Sequence, residues 1–156
     1  MYTILTKRWL TDNIVEMSIL APRLAHSALP GQFLIVKTDE KGERIPLTIC
    51  DVDLEKKSVT IVFQVVGDST KEMSQYNVGD AFHDFLGPLG CPSKLVQDTI
   101  EDLQKQRILF VAGGVGTAPV YPQVKFLHQR QVETDVDNEA KNKQSLIYVE
   151  KMQQVA

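Results

Sequence analysis

The sequence predicts a small antiparallel β-barrel or sandwich followed by the start of an α/β unit. Between residues 2 and 66, short apolar runs alternate with turn-forming residues, which is typical of barrels and sandwiches. Further along, five consecutive apolar residues at 108–112 lead into a glycine-rich turn and a helical pattern. A strand, a glycine turn and a helix in this order are typical of α/β units.

Composition sets broad limits on the fold and on the partners. A chain of 156 residues can form one ordinary domain, or a domain of about 100 residues and part of a second. The 43% hydrophobic content allows a real core, and the net charge of -3 gives no basic field for nucleic acid or a membrane surface. No apolar run approaches a membrane span or a signal peptide, so a cytoplasmic protein is expected.

One of the predicted strands contains a proline. The predicted strands of the first part cover residues 2–5, 14–20, 33–36, 42–50 and 59–66. Pro46 lies in the fourth, and proline occurs in strands only at an edge or a bulge. Two interpretations follow: the open edge offers backbone groups to a flat ligand, helped by the Thr48 hydroxyl, or Pro46 protects an edge strand from aggregation.

The strongest predicted strand, at 59–66, is followed by a glycine and a short helix. The helix is predicted over 71–76, with Asp68 or Ser69 as its N-cap. This segment is either a candidate anion site or a plain capped helix. Beyond it we predict a strand at 81–85, a rigid loop at 87–92 and a polar linker at 93–105.

No cluster of catalytic or metal-binding side chains is predicted. His83 and Asp84 are adjacent in a predicted strand, so their side chains should face opposite sides. His26 and His128 are isolated. Cysteine occurs twice, at positions far apart, and both thiols are expected to be buried in a reducing compartment.

The apolar run at 108–112 predicts a strand buried on both faces, and the turn after it predicts a dinucleotide site. Glycines at 113, 114 and 116 allow a sharp turn, and Pro119 suits the first turn of a helix. The free N–H groups at such a helix start favour a phosphate. Because Pro119 stands where the full dinucleotide fingerprint has its third glycine after Gly114 and Gly116, the alternative is a turn that has only a geometric role.

The C-terminal part is expected to be an incomplete unit. A helix is predicted over 120–128, with Pro122 in its first turn, then a weak strand at 132–136 and a helix at 145–152. A nucleotide-binding sheet needs about four to six strands, and only two are predicted after Lys105. The exposed face of this sheet should therefore need another chain, a different packing, or exclusion of the unit from the folded core.

Five segments together resemble the ferredoxin–NADP reductase superfamily. They are residues 30–33, 44–48, 67–70, 87–90 and 113–119, in this order. The similarity is greatest to the small electron-transfer subunits of NADH-dependent ferredoxin:NADP oxidoreductase and of dihydroorotate dehydrogenase. It implies a six-stranded antiparallel FAD-binding barrel over residues 1–101 and a partial, truncated NAD(P)-binding α/β domain over 102–156.

The resemblance also implies roles for individual residues. The family segment that lies along the FAD ring and pyrophosphate matches Arg44, Pro46, Leu47 and Thr48, with the arginine one place earlier than in the commoner pattern. The family segment that closes on the FAD phosphates matches Gly67, Ser69 and Thr70. The family's nicotinamide-nucleotide turn matches Gly113, Gly114, Gly116, Thr117 and Pro119. Full-length relatives end in a cysteine-rich segment that holds a [2Fe–2S] cluster, whose ligands this sequence lacks. No catalytic side chain and no metal ligand is implied.

Two functions follow from the resemblance. In the first, the chain is an FAD-dependent oxidoreductase component that passes electrons between NAD(P)H and a protein partner, either ferredoxin or a larger dehydrogenase subunit. The flavin carries the reactivity and the protein positions it, so no general base is required. In the second, the chain is a truncated, non-catalytic module that binds FAD or only scaffolds a partner subunit.

Overall fold

The structure is a computed structural model that describes residues 2–156. Its strands are β1 (Tyr2–Trp9), β2 (Ile14–Leu20), β3 (Phe33–Lys37), β4 (Arg44–Asp53), β5 (Ser58–Gln64), β6 (Ala81–Phe82), β7 (Asp84–Leu89), β8 (Ile108–Gly113) and β9 (Thr134–Glu139). Its α-helices are α1 (Pro22–Ser27), α2 (Asp68–Ser74), α3 (Lys94–Gln97), α4 (Ile100–Gln104), α5 (Thr117–Gln129) and α6 (Val149–Val155). Single 3₁₀ turns cover Gly114–Gly116 and Lys143–Ser145.

The first seven strands form a nearly closed antiparallel barrel in the order β6-β1-β2-β5-β4-β3-β7. The two end strands, β6 and β7, are joined through one residue, His83, whose N–H donates to the carbonyls of Lys37 (3.0 Å) and Thr38 (3.1 Å). The antiparallel barrel is confirmed, but the sheet has seven strands over residues 2–156 instead of six. The difference arises because the strand predicted at 81–85 breaks at His83, so its halves pair with β1 and β3.

The break at His83 also corrects a prediction about side-chain directions. His83 and Asp84 were expected to face opposite sides of a continuous strand. Their side chains instead approach, with His83 Nδ1 3.2 Å from Asp84 Oδ1. The alternation of side chains holds only within a regular strand, and both side chains are about half exposed to solvent. We assign the pair no catalytic role.

The barrel interior is filled by the inward-facing side chains of alternating residues. β2 and β5 pair from Ile14 opposite Gln64 to Leu20 opposite Ser58, and both alternate between barrel-facing and outward positions. The core includes Ile4, Met17, Ile19, Leu34, Val36, Ile61 and Phe63. Burial of these apolar side chains is the main stabilising term of the barrel.

The C-terminal part contains two parallel strands, β8 and β9, and the helix α5 packs between them and the barrel. A second core joins the two parts and contains Cys50, Val62, Ala118, Tyr121, Val124, Ile147, Tyr148 and Met152. The prediction that β8 is buried on both faces is wrong. Leu109 and Val111 are 61% and 64% exposed, because nothing in the described chain covers the outer face of β8.

Three helices begin at residues other than those predicted. α5 begins at Thr117, which places Pro119 in the first turn but Pro122 inside the helix, where it is buried. α2 begins at Asp68, so Gly67 is the N-cap and neither Asp68 nor Ser69 has that role. The helix predicted from Ser145 begins only at Val149.

The loop and linker predicted between 87 and 105 are more regular than expected. β7 extends through Leu89 and therefore includes part of the predicted loop. The polar linker forms α3 and α4, since the hydroxyls of Ser93 and Thr99 accept hydrogen bonds from the first turns of these helices. Among the helices formed by residues 2–156, none is long and apolar enough to span a membrane.

Candidate functional site

The candidate site is a groove that opens where β4 and β5 separate. The two strands pair from Asp53 opposite Ser58 as far as Ile49 opposite Ile61, and the ladder ends there. Cys50 forms a bulge, which bends a strand, and Pro46 has no N–H to donate. Beyond this point β4 stays paired with β3 and β5 stays paired with β2, so the edges that face each other are free.

The groove has a volume of about 420 Å³ and lies between the barrel and the start of α5. It is lined by Ile45, Pro46, Leu47, Thr48, Val62, Phe63, Gln64, Val66, Thr70, Val115, Gly116, Ala118 and Pro119. Six of the sequence-predicted site residues are in this set: Pro46, Leu47, Thr48, Thr70, Gly116 and Pro119. The fold thus brings together residues from three motifs that are far apart in sequence.

Within β4, the predicted residues differ in what their side chains can do. Leu47 packs against the barrel core, as does Ile45. Since alternate residues of a strand face opposite sides, Pro46 and Thr48 face outward. Leu47 can therefore contribute its backbone to a ligand, whereas Thr48 can contribute a hydroxyl.

Some polar side chains along the groove are already hydrogen-bonded within the protein, and others are not. The Thr70 Oγ1 atom accepts hydrogen bonds from the N–H groups of Val66 (2.9 Å) and Gly67 (3.1 Å). Within residues 2–156, the side chains of Thr48 and Gln64 make no hydrogen bond. These two groups are free to bind the polar edge of a flat ligand.

Gln64 lines the groove, although the sequence analysis predicts no role for it. The pattern of segment 59–66 predicts a strand and gives its polar residues no role. A signal was present, since Gln64 is an amide between Phe63 and Val65 in an otherwise apolar run. A polar residue in such a position either faces solvent or binds something.

The start of α2 lies at one end of the groove. The Gly67 N–H is bound to Thr70, whereas the backbone N–H groups of residues 68–70 have no partner in the described chain. The Ser69 hydroxyl donates to a carboxylate oxygen of Glu43. The carboxylate of Glu43 therefore stands next to the predicted phosphate segment.

Arg44 is not part of the groove. It lines a separate depression of about 180 Å³, together with Lys37, Tyr2 and Phe85 on the outer side of the barrel. Lys37 lies directly opposite Arg44 in the β3–β4 ladder. The two cations are thus neighbours.

The glycine turn has one left-handed residue. Gly114 has φ 55°, a value that favours glycine. A Cβ placed on Gly114 or Gly116 would meet no protein atom within 4 Å, whereas one on Gly113 would be 4.0 Å from the Glu139 carbonyl. Thr117 is fully buried, and its hydroxyl donates to Asn138 Oδ1 at 3.0 Å. Its side chain therefore holds the turn to β9.

A buried polar network connects the barrel to α6. The Tyr148 hydroxyl donates to a carboxylate oxygen of Glu16, and the Cys50 thiol donates to Tyr148 at 3.4 Å. Arg8 and Lys151 lie 3.3 and 3.9 Å from the same carboxylate. Burial raises the pKa of Cys50 to about 12 and also raises the pKa of Tyr148, so both groups remain protonated at neutral pH.

The two cysteines differ in environment. Cys50 is buried, as expected, but Cys91 is exposed, so the prediction that both are buried is wrong for Cys91. It lies just after β7 in a proline-flanked segment at the surface. Within the part of the chain that the structure describes, no group of three or more side chains has the arrangement of a metal site.

Comparison with known proteins finds relatives of this chain in sequence and in structure. A protein of Clostridium beijerinckii, described only as an uncharacterised protein in the adh 3′ region, is 56% identical over 156 residues, which cover all of this chain and 53% of the relative. The Thermotoga maritima homologue of the electron-transfer subunit of dihydroorotate dehydrogenase B is 35% identical over 98% of this chain and 52% of the relative. The chain spans about half the length of the curated relatives it matches, and no family model matches it.

Solved structures agree with the sequence relatives. The structure of an NADH-dependent reduced ferredoxin–NADP oxidoreductase, described in connection with flavin-based electron bifurcation, matches with a TM-score of 0.85 and 33% identity. The match covers 99% of this chain and 54% of that one. A flavohemoglobin from Malassezia yamatoensis has the same fold, with a TM-score of 0.74 at 17% identity.

The barrel, the groove and these matches define the class of protein. The chain belongs to the ferredoxin–NADP reductase superfamily. Within the superfamily, it groups with the electron-transfer subunits, as the relatives from Thermotoga maritima and Bacillus pumilus do.

Proposed function

We propose that this chain binds FAD in the β4–β5 groove and passes electrons between NAD(P)H and a protein partner. The observation that carries the proposal is the separation of β4 and β5 at Ile49 and Ile61, which leaves two free strand edges facing one space. Thr48 and Gln64 offer uncommitted polar groups there. The partner is a larger dehydrogenase subunit or ferredoxin, as the names of the relatives suggest.

The residues of the groove fit a flavin ring. The free edges supply backbone donors and acceptors, and Val62, Val66 and Val115 supply apolar surface for the flat faces. We assign Pro46, Leu47 and Thr48 to the ring. We assign Gly67, Ser69 and Thr70 to the phosphates, since a Cβ on Gly67 would meet no protein atom within 4 Å and the space beside it is open.

Arg44 is also assigned to the FAD phosphates. Its side chain is exposed beside Lys37, and Glu43, the residue before it, contacts Ser69. A phosphate that reaches the start of α2 is therefore close to the segment that carries Arg44. The barrel, residues 1–101, is the FAD-binding part in this assignment.

The nicotinamide dinucleotide is assigned to the glycine turn of the second part, residues 102–156. Gly113, Gly114, Gly116 and Pro119 allow a phosphate to approach the backbone at the start of α5. Thr117 contributes by fixing the turn to Asn138. Gly116 and Pro119 also line the flavin groove, so both cofactors would meet at this turn.

The protein's own part in the reaction is positioning and shielding. When bound, the flavin supplies hydride acceptance and the release of single electrons. Thr48 holds the ring by a hydrogen bond, and Val115, Ala118 and Pro119 exclude water from one side of the groove. No side chain needs to act as a general base.

A second candidate function is an FAD-binding or scaffolding module that accepts no electrons from NAD(P)H. The uncovered outer face of β8, with Leu109 and Val111 exposed, favours this candidate. A nucleotide-binding sheet usually carries helices on both faces. The barrel and its groove are the same in both candidates.

One titration and one reduction test the proposal. Purified protein is titrated with FAD, and the flavin fluorescence and visible spectrum are followed. We expect saturable binding, and about three- to tenfold weaker binding for Thr48→Val, which keeps the shape but loses the hydroxyl. Absence of FAD binding to the wild-type chain would overturn the proposal.

The reduction separates the two candidate functions. NADH or NADPH is added without oxygen to the FAD-loaded protein. Bleaching of the flavin spectrum supports electron transfer, and a stable yellow protein supports the binding module. Sodium dithionite serves as the control, because it reduces the bound flavin in either case.

A further inference from the structure

We propose that a second groove, between the β4–β5 turn and the C-terminal half of α5, binds a small carboxylic acid with a compact apolar body. The groove has a volume of about 270 Å³. Its apolar walls are formed by Leu29, Pro30, Val52, Leu54, Pro122 and Phe126. None of the residues that line it also lines the flavin groove, so the inference goes beyond the proposed function and does not depend on it.

The size and the walls of this second groove suit a small apolar ligand. Ligand pockets measure about 300–1,000 Å³, and 270 Å³ lies just below that range. Two of the apolar side chains at the groove, Leu29 and Leu54, are 41% and 64% exposed. A single exposed leucine is common in proteins. Two of them on one groove provide apolar surface that a ligand can bury.

Arg130 supplies the charged group that would recognise the ligand. Its guanidinium carbon lies 3.4 Å from the centre of the Phe126 ring, and its Nη1 atom donates to the Phe126 carbonyl at 3.1 Å. Within residues 2–156, the partly buried Arg130 side chain forms no salt bridge. Since a guanidinium has five N–H donors and one is used, four remain for a ligand.

The stacking on Phe126 orients the guanidinium before a ligand binds. A carboxylate accepts two parallel hydrogen bonds from the edge of a guanidinium and lies in the same plane. The Phe126 ring covers a face of the Arg130 guanidinium, whereas the carboxylate would bind at its edge. Because the side chain is already held by the ring, binding costs less conformational entropy than it would with a mobile arginine.

The other charged side chains of the second groove neutralise each other. Lys125 Nζ lies 2.7 Å from Asp51 Oδ1, and the same oxygen accepts a hydrogen bond from the Val52 N–H at 2.9 Å. The charge of Asp51 is therefore balanced within the protein. Arg130 is left as the uncompensated charge among the lining residues. This charge distribution favours a ligand with one negative charge.

Three probe molecules separate the charged head from the apolar body. Cyclohexanecarboxylate has both, cyclohexanecarboxamide has nearly the same shape without the charge, and acetate has the charge without the body. Each is titrated into isotope-labelled protein, and backbone amide shifts are followed by two-dimensional NMR. We expect saturable shifts around the groove with the carboxylate, at about millimolar affinity. The carboxamide should bind about five- to tenfold more weakly, because a charge-assisted hydrogen bond becomes a neutral one.

Three variants test the two halves of the site. Arg130→Gln should weaken carboxylate binding by about tenfold or more and carboxamide binding by less than about threefold. Arg23→Gln is the matched control, because Arg23 is exposed on α1 and lies outside the groove. Leu54→Ser should weaken both probes alike, by about two- to fivefold, since apolar surface is lost. Thermal unfolding checks that each variant is folded.

Equal affinity of the carboxylate for the wild type and for folded Arg130→Gln would overturn the inference. Absence of saturable binding to the wild type, or shifts centred away from the second groove, would also overturn it.

A titration in saturating FAD separates this inference from the proposed function. Because the two grooves share no lining residue, FAD should leave the affinity for the carboxylate unchanged. Competition between FAD and the carboxylate would place the carboxylate in the flavin groove and overturn the inference. A chain that binds the carboxylate but no FAD would support the inference and overturn only the proposed function.

Discussion

Pro46 and the bulge at Cys50 lie on either side of the point where β4 and β5 stop pairing. Because proline has no N–H, it cannot donate to a neighbouring strand, and the bulge at Cys50 already bends β4 away from β5. Thr48 lies between these two residues, and its hydroxyl makes no hydrogen bond in the described chain, although its backbone pairs with β3. Because Pro46 has no N–H, β4 carries one donor fewer beyond the end of the ladder.

At the same scale, the two thiols should react very differently. Cys91 is exposed, whereas Cys50 is buried and its thiol donates a hydrogen bond to Tyr148. Burial raises the pKa of Cys50 from its usual 9.0 to about 12. Since the thiolate is the reactive form, a disulfide reagent at pH 8 should modify one thiol per chain quickly. The second thiol should react only after unfolding in guanidinium chloride.

A Cys91→Ala variant is the control for this assay. It should show no rapid reaction and one thiol after unfolding. Two rapidly reacting thiols in the native wild type would contradict the burial of Cys50.

Because a raised pKa means that the folded state holds its proton more tightly, the burial of Cys50 also predicts lower stability as the pH rises from 9 towards 12.

At the scale of the element, the Thr70 side chain connects α2 to the turn that follows β5. Thr70 closes the turn from β5 into α2 by accepting from Val66 and Gly67. Gly67 itself has extended backbone, with φ -159°, and open space where a Cβ would stand. Neither the backbone conformation nor the packing of the protein therefore requires glycine at position 67.

This difference predicts separate effects for two substitutions. Gly67→Val should leave the melting temperature nearly unchanged but weaken FAD binding strongly, because the new side chain fills the space by which a phosphate would reach the backbone. Thr70→Ala should lower stability by about 1 kcal/mol, because the Val66 and Gly67 N–H groups lose their acceptor, and should weaken FAD binding less. Thermal unfolding and FAD titration measure the two effects. Equal losses of FAD affinity would refute the ranking.

For the whole molecule, the junction between the barrel and the second part determines where α5 lies relative to the groove. The apolar core at this junction includes Val62, Ala118 and Val124, and the Tyr148 hydroxyl adds hydrogen bonds to Glu16 and Cys50. This junction holds the start of α5 against the groove. The nucleotide turn and the flavin groove thus depend on one interface.

Removing the Tyr148 hydroxyl should weaken that interface. We expect Tyr148→Phe to lower the free energy of unfolding by about 1–3 kcal/mol, since a hydrogen bond to a partly buried carboxylate is lost. Urea unfolding measures the change. Tyr2→Phe is the control, because the Tyr2 ring packs on Phe85 and its hydroxyl makes no hydrogen bond within residues 2–156. Equal stability of the two variants would contradict the role of Tyr148.

The sequence by itself determined the barrel strands, the order of the motifs and the strand–glycine–helix segment at 108–119. These features depend on local patterns, namely alternation, turn residues and a proline at a helix start, which act between near neighbours in the chain. The superfamily followed from the same segments. Relatives and solved structures confirmed it.

Only the tertiary structure decided which of these segments meet. In the folded chain β4 and β5 separate after Ile49, and the Thr117 hydroxyl is hydrogen-bonded to Asn138. Arg44 lies outside the groove, whereas Gln64 lines it. It also broke the strand at His83 and left the outer face of β8 open. The reason is physical: where a strand pairs, and what its side chains then face, depends on partners that are distant in sequence, and no local pattern carries that information.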